Sequence, residues 1–384
     1  MEMLVKTLAG LEEVLAEELR TLGATEVVLL KRAVRCEGDL SLLYRANLWL
    51  RTGLRILIPV ETFAAPTEKE LYNFLREIDW SRYIHIDQTF AVDVVTQSVH
   101  LTHSHFLALR TKDAIVDWFR DHNRGKRPDI DTREADIRIH LHIDSLDRAT
   151  LLLDSSGDGL HRRGYRTEGG PAPLNEVLAA GLVKLSGWQP GQPLVDMMCG
   201  SGTILIEAGL MATNQPPSMN RNFCFENWPD FDRELWQQIK QEAKAVQQPY
   251  LIPIVGLDKD FKAFRIAENN IAAAHLEEVI FIQRMSFQNY QPPAGPGMVI
   301  SNPPYGLRVE DDNLGMLYKE IGDKLKTDFL DYQAWLFSGN MEALKSVGLR
   351  ASRKISLLNG QLECKFQRYD IYAGTKKVRE QPSA

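Results

Sequence analysis

Four consecutive residues, Asn302-Pro303-Pro304-Tyr305, combine groups that can hold a planar amine. Proline has a fixed φ and no N–H, so two prolines in a row hold the neighbouring carbonyl groups stiffly and leave them free to accept hydrogen bonds. The Asn302 side-chain oxygen and the Pro303 carbonyl can accept the two hydrogens of an exocyclic NH₂ group, while the Tyr305 ring stacks on the plane that carries it. The pattern indicates a pocket for an aromatic amine, although a rigid turn would use the same residues.

A short strand pattern at 298–300 precedes Asn302, and a glycine loop follows another such pattern. Leu194-Val195-Asp196 ends on a carboxylate, and Cys199-Gly200-Ser201-Gly202-Thr203 then leads into a helical pattern. Glycines let a ligand approach the backbone, and a helix N-terminus presents free N–H groups to a negative charge. A dinucleotide fingerprint does not fit because Leu205 occupies the third glycine position, and no Gly-Lys-Ser/Thr follows for a P-loop. Asp196 suits an ammonium group, so the loop predicts an amino-acid-bearing nucleoside such as S-adenosylmethionine.

A third strand pattern, at residues 252–258, also ends on a carboxylate. In doubly wound sheets an acidic residue at the end of the second strand binds ribose hydroxyls, usually about 20 residues after the glycines. An intervening segment at 211–248 lengthens that spacing here. The position of Asp258 at a strand end still predicts ribose binding, and a helix N-cap is the other common use of such an aspartate.

The elements around these residues alternate between strand and helix patterns. From residue 174 onward they predict a doubly wound α/β sheet, with a late strand at 332–338 and a C-terminal hairpin turning at Asn359-Gly360. Residues 1–156 show a shorter alternation that is typical of a small α+β fold. The segment 157–173 between them is rich in glycine and arginine, and the domain boundary is predicted there.

The composition is that of an ordinary globular protein, with 384 residues, 44% hydrophobic, 25% charged and a formal net charge of −6. The N-terminus has no basic segment before an apolar core and no apolar run reaches the length of a membrane span, so a cytoplasmic protein without membrane contact is predicted. The four cysteines are scattered, which favours neither disulfides nor zinc. His100, His103 and His105 match no zinc spacing, and no metal is expected.

Local clusters of cations stand out although the overall charge is negative. The candidate nucleic-acid contacts are Arg110, Lys112, Lys126 and Arg127 in and after a long helical pattern, and Arg162, Arg163 and Arg166 at the domain boundary. A solvated helix face explains the first group nearly as well. The second group would touch phosphates or cap the cofactor site.

Taken together, these segments resemble the motifs of a known enzyme class. The glycine loop, Asp258 and residues 302–305 are similar to motifs I, II and IV of class I S-adenosylmethionine-dependent amino methyltransferases. With residues 160–166, 173–176 and 305–308 added, the chain resembles the bacterial THUMP-domain guanine-N2 methyltransferases that act on 23S ribosomal RNA.

The resemblance implies an α/β fold with a second, RNA-binding region. A Rossmann-like class I methyltransferase domain with a seven-stranded sheet and a C-terminal hairpin is expected at 174–384. A ferredoxin-like domain at 1–62 and a THUMP domain at 63–156, both α+β, are expected to precede the basic linker at 157–173.

The resemblance also assigns roles to residues. It implies catalytic or base-holding roles for Asn302, Pro303, Pro304 and Tyr305. It implies S-adenosylmethionine as the cofactor, bound by Asn175, Glu176, Asp196, Cys199, Gly200, Ser201, Gly202, Thr203, Asp258, Lys259 and Asn302. Many class I enzymes carry an acidic residue for the adenine amine after the third strand, where this chain has Met285 and Ser286; Gln283 or a backbone group is expected to serve instead.

The implied reaction is methylation of the exocyclic N2 amine of a guanine in 23S ribosomal RNA or a ribosomal precursor, by a monomer or homodimer. Three alternatives stay open from the residues. They are guanine-N2 methylation of transfer RNA, N6-adenine methylation of a nucleic acid, and a non-catalytic RNA-binding factor in ribosome assembly.

Overall fold

A computed structural model describes residues 1–166, 174–306 and 311–374 of the chain. The chain forms two compact units, and neither is continuous in sequence. The first unit comprises Met1–Gly164 and Gln215–Gln247, and the second comprises Tyr165–Asn214 and Gln248–Ala384. The boundaries predicted at 62, 156 and 173 divide the chain differently, because they leave residues 215–247 with the methyltransferase domain.

The first unit is built on one eight-stranded sheet with the order β2-β3-β1-β4-β8-β7-β5-β6. Its strands are β1 (Glu2–Lys6), β2 (Thr25–Leu30), β3 (Ala33–Glu37), β4 (Arg55–Ala64), β5 (Thr89–Thr96), β6 (Asp129–Ile130), β7 (Ile137–Ile143) and β8 (Arg148–Asp154). Its helices are α1 (Glu12–Thr21), α2 (Leu40–Trp49), α3 (Glu68–Glu77), α4 (Ser104–His122) and α7 (Arg233–Ala245). Pairing of β4 with β8 joins the ferredoxin-like and THUMP parts into this single sheet.

The returning segment, Gln215–Gln247, completes the core of the first unit. Its Trp236 is 2% exposed and packs edge-on against Tyr44 of α2, with ring centroids 5.9 Å apart. Phe225 stacks on the same tyrosine at 4.4 Å. Helix α7 begins after Asp232, whose side chain accepts from the backbone N–H of Leu235. Burial of these aromatic side chains contributes several kcal/mol to the free energy of folding. The returning segment therefore stabilises the first unit.

The second unit is the predicted seven-stranded sheet, with the order β11-β10-β9-β12-β13-β15-β14. Its strands are β9 (Leu194–Asp196), β10 (Ile254–Asp258), β11 (Ile280–Arg284), β12 (Met298–Ser301), β13 (Gln333–Ser338), β14 (Arg353–Asn359) and β15 (Leu362–Asp370). Its helices are α5 (Glu176–Ser186), α6 (Thr203–Ala212), α8 (Phe261–Ala273), α9 (Asp311–Asp328) and α10 (Met341–Ser346). The class I methyltransferase fold predicted for this region is therefore confirmed.

The strand order brings the predicted motifs to one edge. Strand β9 pairs in parallel with β10 on one side and β12 on the other, so Asp196, Asp258 and Ser301 all end their strands at the same carboxyl edge. The chain order reverses at β9, and ligands bind at such switch points of open α/β sheets.

The C-terminal hairpin differs from its predicted register by one residue. Asn359 pairs with Leu362 as the last pair of the β14–β15 ladder, so the turn is made by Gly360 and Gln361 rather than by Asn359 and Gly360. Gly360 has φ +64°, and glycine at the first central position is a common hairpin solution. Asn359 is therefore a strand residue, and its side chain takes no part in forming the turn.

Candidate cofactor and target-base site

Asp196 is a buried acid at the centre of the carboxyl edge, with 1% exposure. The Ser301 hydroxyl donates to its Oδ1 at 2.7 Å, and the Met198 backbone N–H donates to the same oxygen at 3.2 Å. Burial raises the pKa of Asp196 to about 7, against the opposing effect of the Ser301 hydrogen bond. The carboxyl group can therefore change charge near neutral pH, and a ligand cation beside it would favour the ionised form.

The glycine loop has the conformation that a close ligand requires. Gly200 and Gly202 have φ of +55° and +78°, a region that residues with a Cβ rarely adopt. The Gly200 N–H donates to Asp258 Oδ2 at 3.0 Å, which ties the loop to the end of β10. A Cβ built at Gly200 meets no atom within 4 Å in the part of the chain that the structure describes. The loop thus borders open space, and α6 begins behind it without a side-chain cap.

The other predicted cofactor residues differ in their exposure and in their hydrogen bonds. Asn175 caps α5 by accepting from the Val177 and Leu178 N–H groups at 3.0 and 3.3 Å. Cys199 is buried, which raises the pKa of its thiol. Lys259 is exposed beside Asp258.

Arg166 connects the basic linker to the glycine loop. Its Nε donates to Glu176 Oε1 at 2.7 Å, and its Nη2 donates to the Leu174 carbonyl at 3.0 Å and to Thr203 Oγ1 at 3.3 Å. Thr203 Oγ1 in turn lies 3.1 Å from Ser201 Oγ. Arg166 therefore contacts the first residue of α6 behind the glycine loop, and its predicted contact with an RNA phosphate stays a prediction.

The Asn302–Tyr305 loop leaves β12 next to these groups. Asn302 Oδ1 is buried and has no hydrogen-bond partner within residues 1–166, 174–306 and 311–374. A buried amide oxygen without a donor costs free energy, which a ligand N–H would recover. Tyr305 is half-buried, and Asn359 Nδ2 donates to its hydroxyl oxygen at 2.6 Å. Pro173, Leu307 and Arg308, which carried part of the resemblance, lie outside the described residues.

The adenine contact predicted near the end of β11 stays a prediction. Gln283 is exposed, Met285 packs against the core of the second unit, and the Ser286 hydroxyl bonds Gln288. Residues 283–286, at and after the end of β11, include no carboxylate.

The candidate RNA residues fall in different environments. Arg163 is 4% exposed and donates to the carbonyls of Leu160 and Arg51, both at 2.5 Å. Its guanidinium thus donates to buried carbonyl groups within the first unit, and an RNA contact by Arg163 stays a prediction. Arg162 is exposed and lies 3.4 Å from Asp158.

The candidates on and after α4 are surface cations with local contacts. Arg110 lies over the Tyr72 ring at 4.3 Å, and Lys112 pairs with Asp113 at 2.6 Å. Lys126 and Arg127 are exposed beyond the helix end. This arrangement fits a solvated helix face as well as an RNA contact.

The sequence reasoning missed a charged face of the first unit's sheet, on which Arg55 pairs with Asp154 and Arg138 lies 3.9 Å from Asp93. Every second residue of β7 is buried, which places Arg138, His140 and His142 on the face opposite the core. Lys6 is the cross-strand neighbour of Arg55 on the same face. Burial and then the charge of Arg55 lower the pKa of His140 to about 4, so this histidine is neutral at pH 7. The period-two pattern of β7 was visible in the sequence, but its neighbours come from distant strands.

Metal sites and membrane-spanning helices are not found among the described residues. No three His, Cys, Asp or Glu side chains cluster as metal ligands among the described residues. Over the same residues, no helix combines the length and apolar character that a membrane crossing requires.

Comparison with protein families gives three matches in chain order. Residues 2–57 match the RlmL ferredoxin-like domain, residues 65–154 match the THUMP domain, and residues 163–368 match the RMKL-like methyltransferase domain.

Individual relatives agree with these matches. A Synechocystis protein provisionally named RNA methyltransferase slr0064 is 42% identical over 94% of this chain and 95% of its own length. The ribosomal RNA large subunit methyltransferase K/L of Syntrophotalea carbinolica is 42% identical over 94% of this chain but 52% of its own length, so the chain spans about half of that relative. The crystal structure of SMU.472, provisionally assigned as a methyltransferase and complexed with SAH, has a TM-score of 0.88 and 30% identity over 97% of this chain and 99% of that one. The chain therefore belongs to the RMKL-like methyltransferase family, with the RlmL ferredoxin-like and THUMP domains preceding the methyltransferase domain.

Proposed function

We propose that this protein transfers a methyl group from S-adenosylmethionine to the exocyclic N2 amine of a guanine in 23S ribosomal RNA. The observation that carries the proposal is the buried Oδ1 of Asn302, which has no hydrogen-bond partner among the described residues and lies at the same sheet edge as the strand ends of Asp196 and Asp258. An acceptor for amine hydrogens and groups suited to a cofactor thus share one edge of the sheet.

The residues present fit S-adenosylmethionine. The Asp196 carboxyl can ionise beside a ligand cation, Asp258 has lone pairs left for ribose hydroxyls, and Gly200 leaves room for a ligand along the backbone. When bound, the cofactor supplies an electrophilic methyl group. The SAH in the SMU.472 crystal structure supports the same class of ligand here.

The amine-holding loop would activate a poor nucleophile by position. The lone pair of guanine N2 is delocalised into the ring, and it becomes available when the nitrogen turns pyramidal. Asn302 Oδ1 and the Pro303 carbonyl would accept the two amine hydrogens, direct the lone pair away from the loop and stabilise the positive charge that develops. The product loses its proton to water, and no strong general base is required.

The Tyr305 ring would stack on the target base. A base inside a duplex cannot reach the loop, so it must be turned out of its stack or already lie in a single-stranded region. The names of the K/L relatives support large-subunit ribosomal RNA as the source of that base. The THUMP match supports RNA as the partner, and the exposed Lys6 is a candidate phosphate contact.

Adenine N6 is the second candidate acceptor. It is favoured by the Asn-Pro-Pro-Tyr sequence itself, because this loop is shared with adenine methylases and can hold any planar exocyclic amine. Guanine is preferred on the strength of the resemblance over the whole chain.

The test is nucleoside mass spectrometry of unmodified RNA incubated with the protein and labelled S-adenosylmethionine. In vitro transcripts of 23S ribosomal RNA, 16S ribosomal RNA and transfer RNA should be compared, with label expected as N2-methylguanosine in the 23S transcript. Label in N6-methyladenosine would establish the second candidate, and label confined to transfer RNA would refute the ribosomal substrate. Cofactor binding without label in any transcript would refute the enzymatic reading.

A substitution connects that activity to the loop. Asn302→Ala should lower kcat by about 100-fold or more, as loss of a group that stabilises transition-state charge does. Asn269, an exposed residue of α8, provides the matched control, and Asn269→Ala should retain the wild-type rate. An active Asn302→Ala variant would remove the amide from the mechanism.

A further inference from the structure

We propose that the C-terminal hairpin is part of the target-base site and that Asn359 is the positioning residue for Tyr305. The inference rests on the proposed function, since it concerns the ring that would stack on the base. It assigns a role to a residue that lies 54 positions away from Tyr305 in the chain.

The topology places the tip of the hairpin at the reactive edge. Strands β13 and β14 are both antiparallel to β15, so β14 runs in the same direction as β12 and β13. Its last residue, Asn359, therefore ends at the carboxyl edge where the Asn302–Tyr305 loop leaves β12. The loop has to cross the ends of β13 and β15 to reach Asn359, since these strands lie between β12 and β14.

The Tyr305 ring occupies a slot along this crossing. Asn359 Nδ2 donates to the Tyr305 hydroxyl oxygen at 2.6 Å at one end of the ring. Gly339 follows β13, and a Cβ there would lie 3.3 Å from Tyr305 Cδ2 and 2.6 Å from Leu362 Cδ2. Glycine at this position therefore lets the ring and the leucine pack closely. The hydroxyl end and one edge of the ring are held by different strands.

Holding the ring in this way lowers the cost of stacking a base on it. A free tyrosine side chain samples several χ1 and χ2 states, and binding would have to select one of them. The contact with Asn359 selects the orientation before the base arrives. Burial raises the pKa of the Tyr305 phenol, so the hydroxyl stays neutral and keeps its own proton as a further donor.

The structure also provides clean variants. Gly360, and not Asn359, adopts the positive φ of the hairpin turn, so Asn359→Ala removes the amide without straining the turn. Tyr305→Phe removes the other end of the same hydrogen bond and keeps the ring. Gln361, the exposed second turn residue, is the matched control, because Gln361→Ala removes an amide from the same hairpin.

The experiment measures kcat and kcat/KM for the 23S transcript at saturating S-adenosylmethionine, together with cofactor Kd by calorimetry. Asn359→Ala and Tyr305→Phe should each lower kcat/KM for the transcript by about two- to tenfold, the range expected for one hydrogen bond. The double variant should be no slower than either single variant because both remove the same bond. The cofactor Kd should stay at the wild-type value in all three, and Gln361→Ala should leave kcat/KM and Kd unchanged.

The outcomes separate this inference from the proposed function. Wild-type labelling of guanine with an unimpaired Asn359→Ala variant would overturn the role of Asn359 alone, as would single-variant losses that multiply in the double variant. A loss of cofactor affinity in Asn359→Ala would show a general structural role instead. Absence of labelling by the wild-type protein would overturn the proposed function and this inference with it.

Discussion

Lowering the pH from 7.0 to 5.5 should weaken the binding of S-adenosylmethionine by about fifteenfold. The reason is Asp196, which is 1% exposed and whose pKa burial raises to about 7. A carboxyl with that pKa is about half ionised at pH 7.0 and about one-thirtieth ionised at pH 5.5. If only the ionised form binds the ligand cation, the apparent Kd scales inversely with the ionised fraction. The α-amino group of the ligand stays protonated over this range because its pKa lies at about 8.

The same group should affect the stability of the ligand-free protein in the opposite sense. Since the pKa of Asp196 is higher in the folded than in the unfolded chain, the folded state binds more protons between about pH 4 and pH 7. The free energy of unfolding therefore falls as the pH rises through this window, by up to about 4 kcal/mol if the full shift from 3.8 to about 7 applies. Asp196→Asn should remove this loss, so the variant should be more stable than the wild type at pH 8 while failing to bind the cofactor.

Calorimetry and urea unfolding at several pH values check both effects. Calorimetry in buffers of different ionisation enthalpy should also detect proton release on binding at pH 6. Ser301→Ala provides a further check, because the Ser301 hydroxyl hydrogen bond lowers the pKa of Asp196 and its loss should move the binding curve to higher pH. A Kd that is unchanged between pH 5.5 and 7.0, or Asp196→Asn stability that follows the wild type from pH 4 to 8, would refute the reasoning.

Three further predictions concern the first unit. Trp236→Ala should lower the free energy of unfolding by about 3–5 kcal/mol because it empties an aromatic core site, and a urea midpoint near that of the wild type would contradict the assignment of the returning segment to this core. Arg163→Ala should lower the free energy of unfolding by about 1–3 kcal/mol because it leaves buried carbonyls without donors. The exposed Arg162→Ala variant should change thermal stability little. Equal melting temperatures of the two variants would contradict a stabilising role for the buried Arg163. Lys6→Ala should reduce the slope of log RNA affinity against log salt by about one if this cation meets a phosphate, and filter binding with an unchanged slope would exclude the contact.

The fold of the second unit was predictable because its determinants are local. Short apolar strands, each ending on Asp196, Asp258 or Ser301, alternate with helical patterns, and parallel strands of this kind have few possible orders. The co-location of the glycine loop and the Asn302–Tyr305 loop follows from that order. The sequence therefore predicted which residues meet at the carboxyl edge.

The parts that could not be predicted depend on partners distant in sequence. Arg163 reads as one of several surface cations, and only its contacts with Leu160 and Arg51 reveal it as a buried clamp. The role of Asn359 depends on the hairpin register. The Asn-Gly pair predicts a turn at Asn359 and Gly360, whereas the turn is one residue later and leaves Asn359 as the last residue of β14. The aromatic and apolar side chains through which residues 215–247 pack into the first unit leave no local signal in the sequence beyond an amphipathic helix.

The returning segment has a consequence for how such a chain can be cut and recombined. A fragment that stops at Gly164 lacks Phe223, Phe225 and Trp236, so it would expose the apolar surface around Tyr44. A fragment that starts after the basic linker carries the three aromatic residues without the core that receives them. A single crossover in the gene would therefore yield two protein products with exposed hydrophobic surface. Selection should for this reason keep the coding sequences of the two units together. Transplanting the first unit onto another methyltransferase requires two grafts, one at the N-terminus and one after α6.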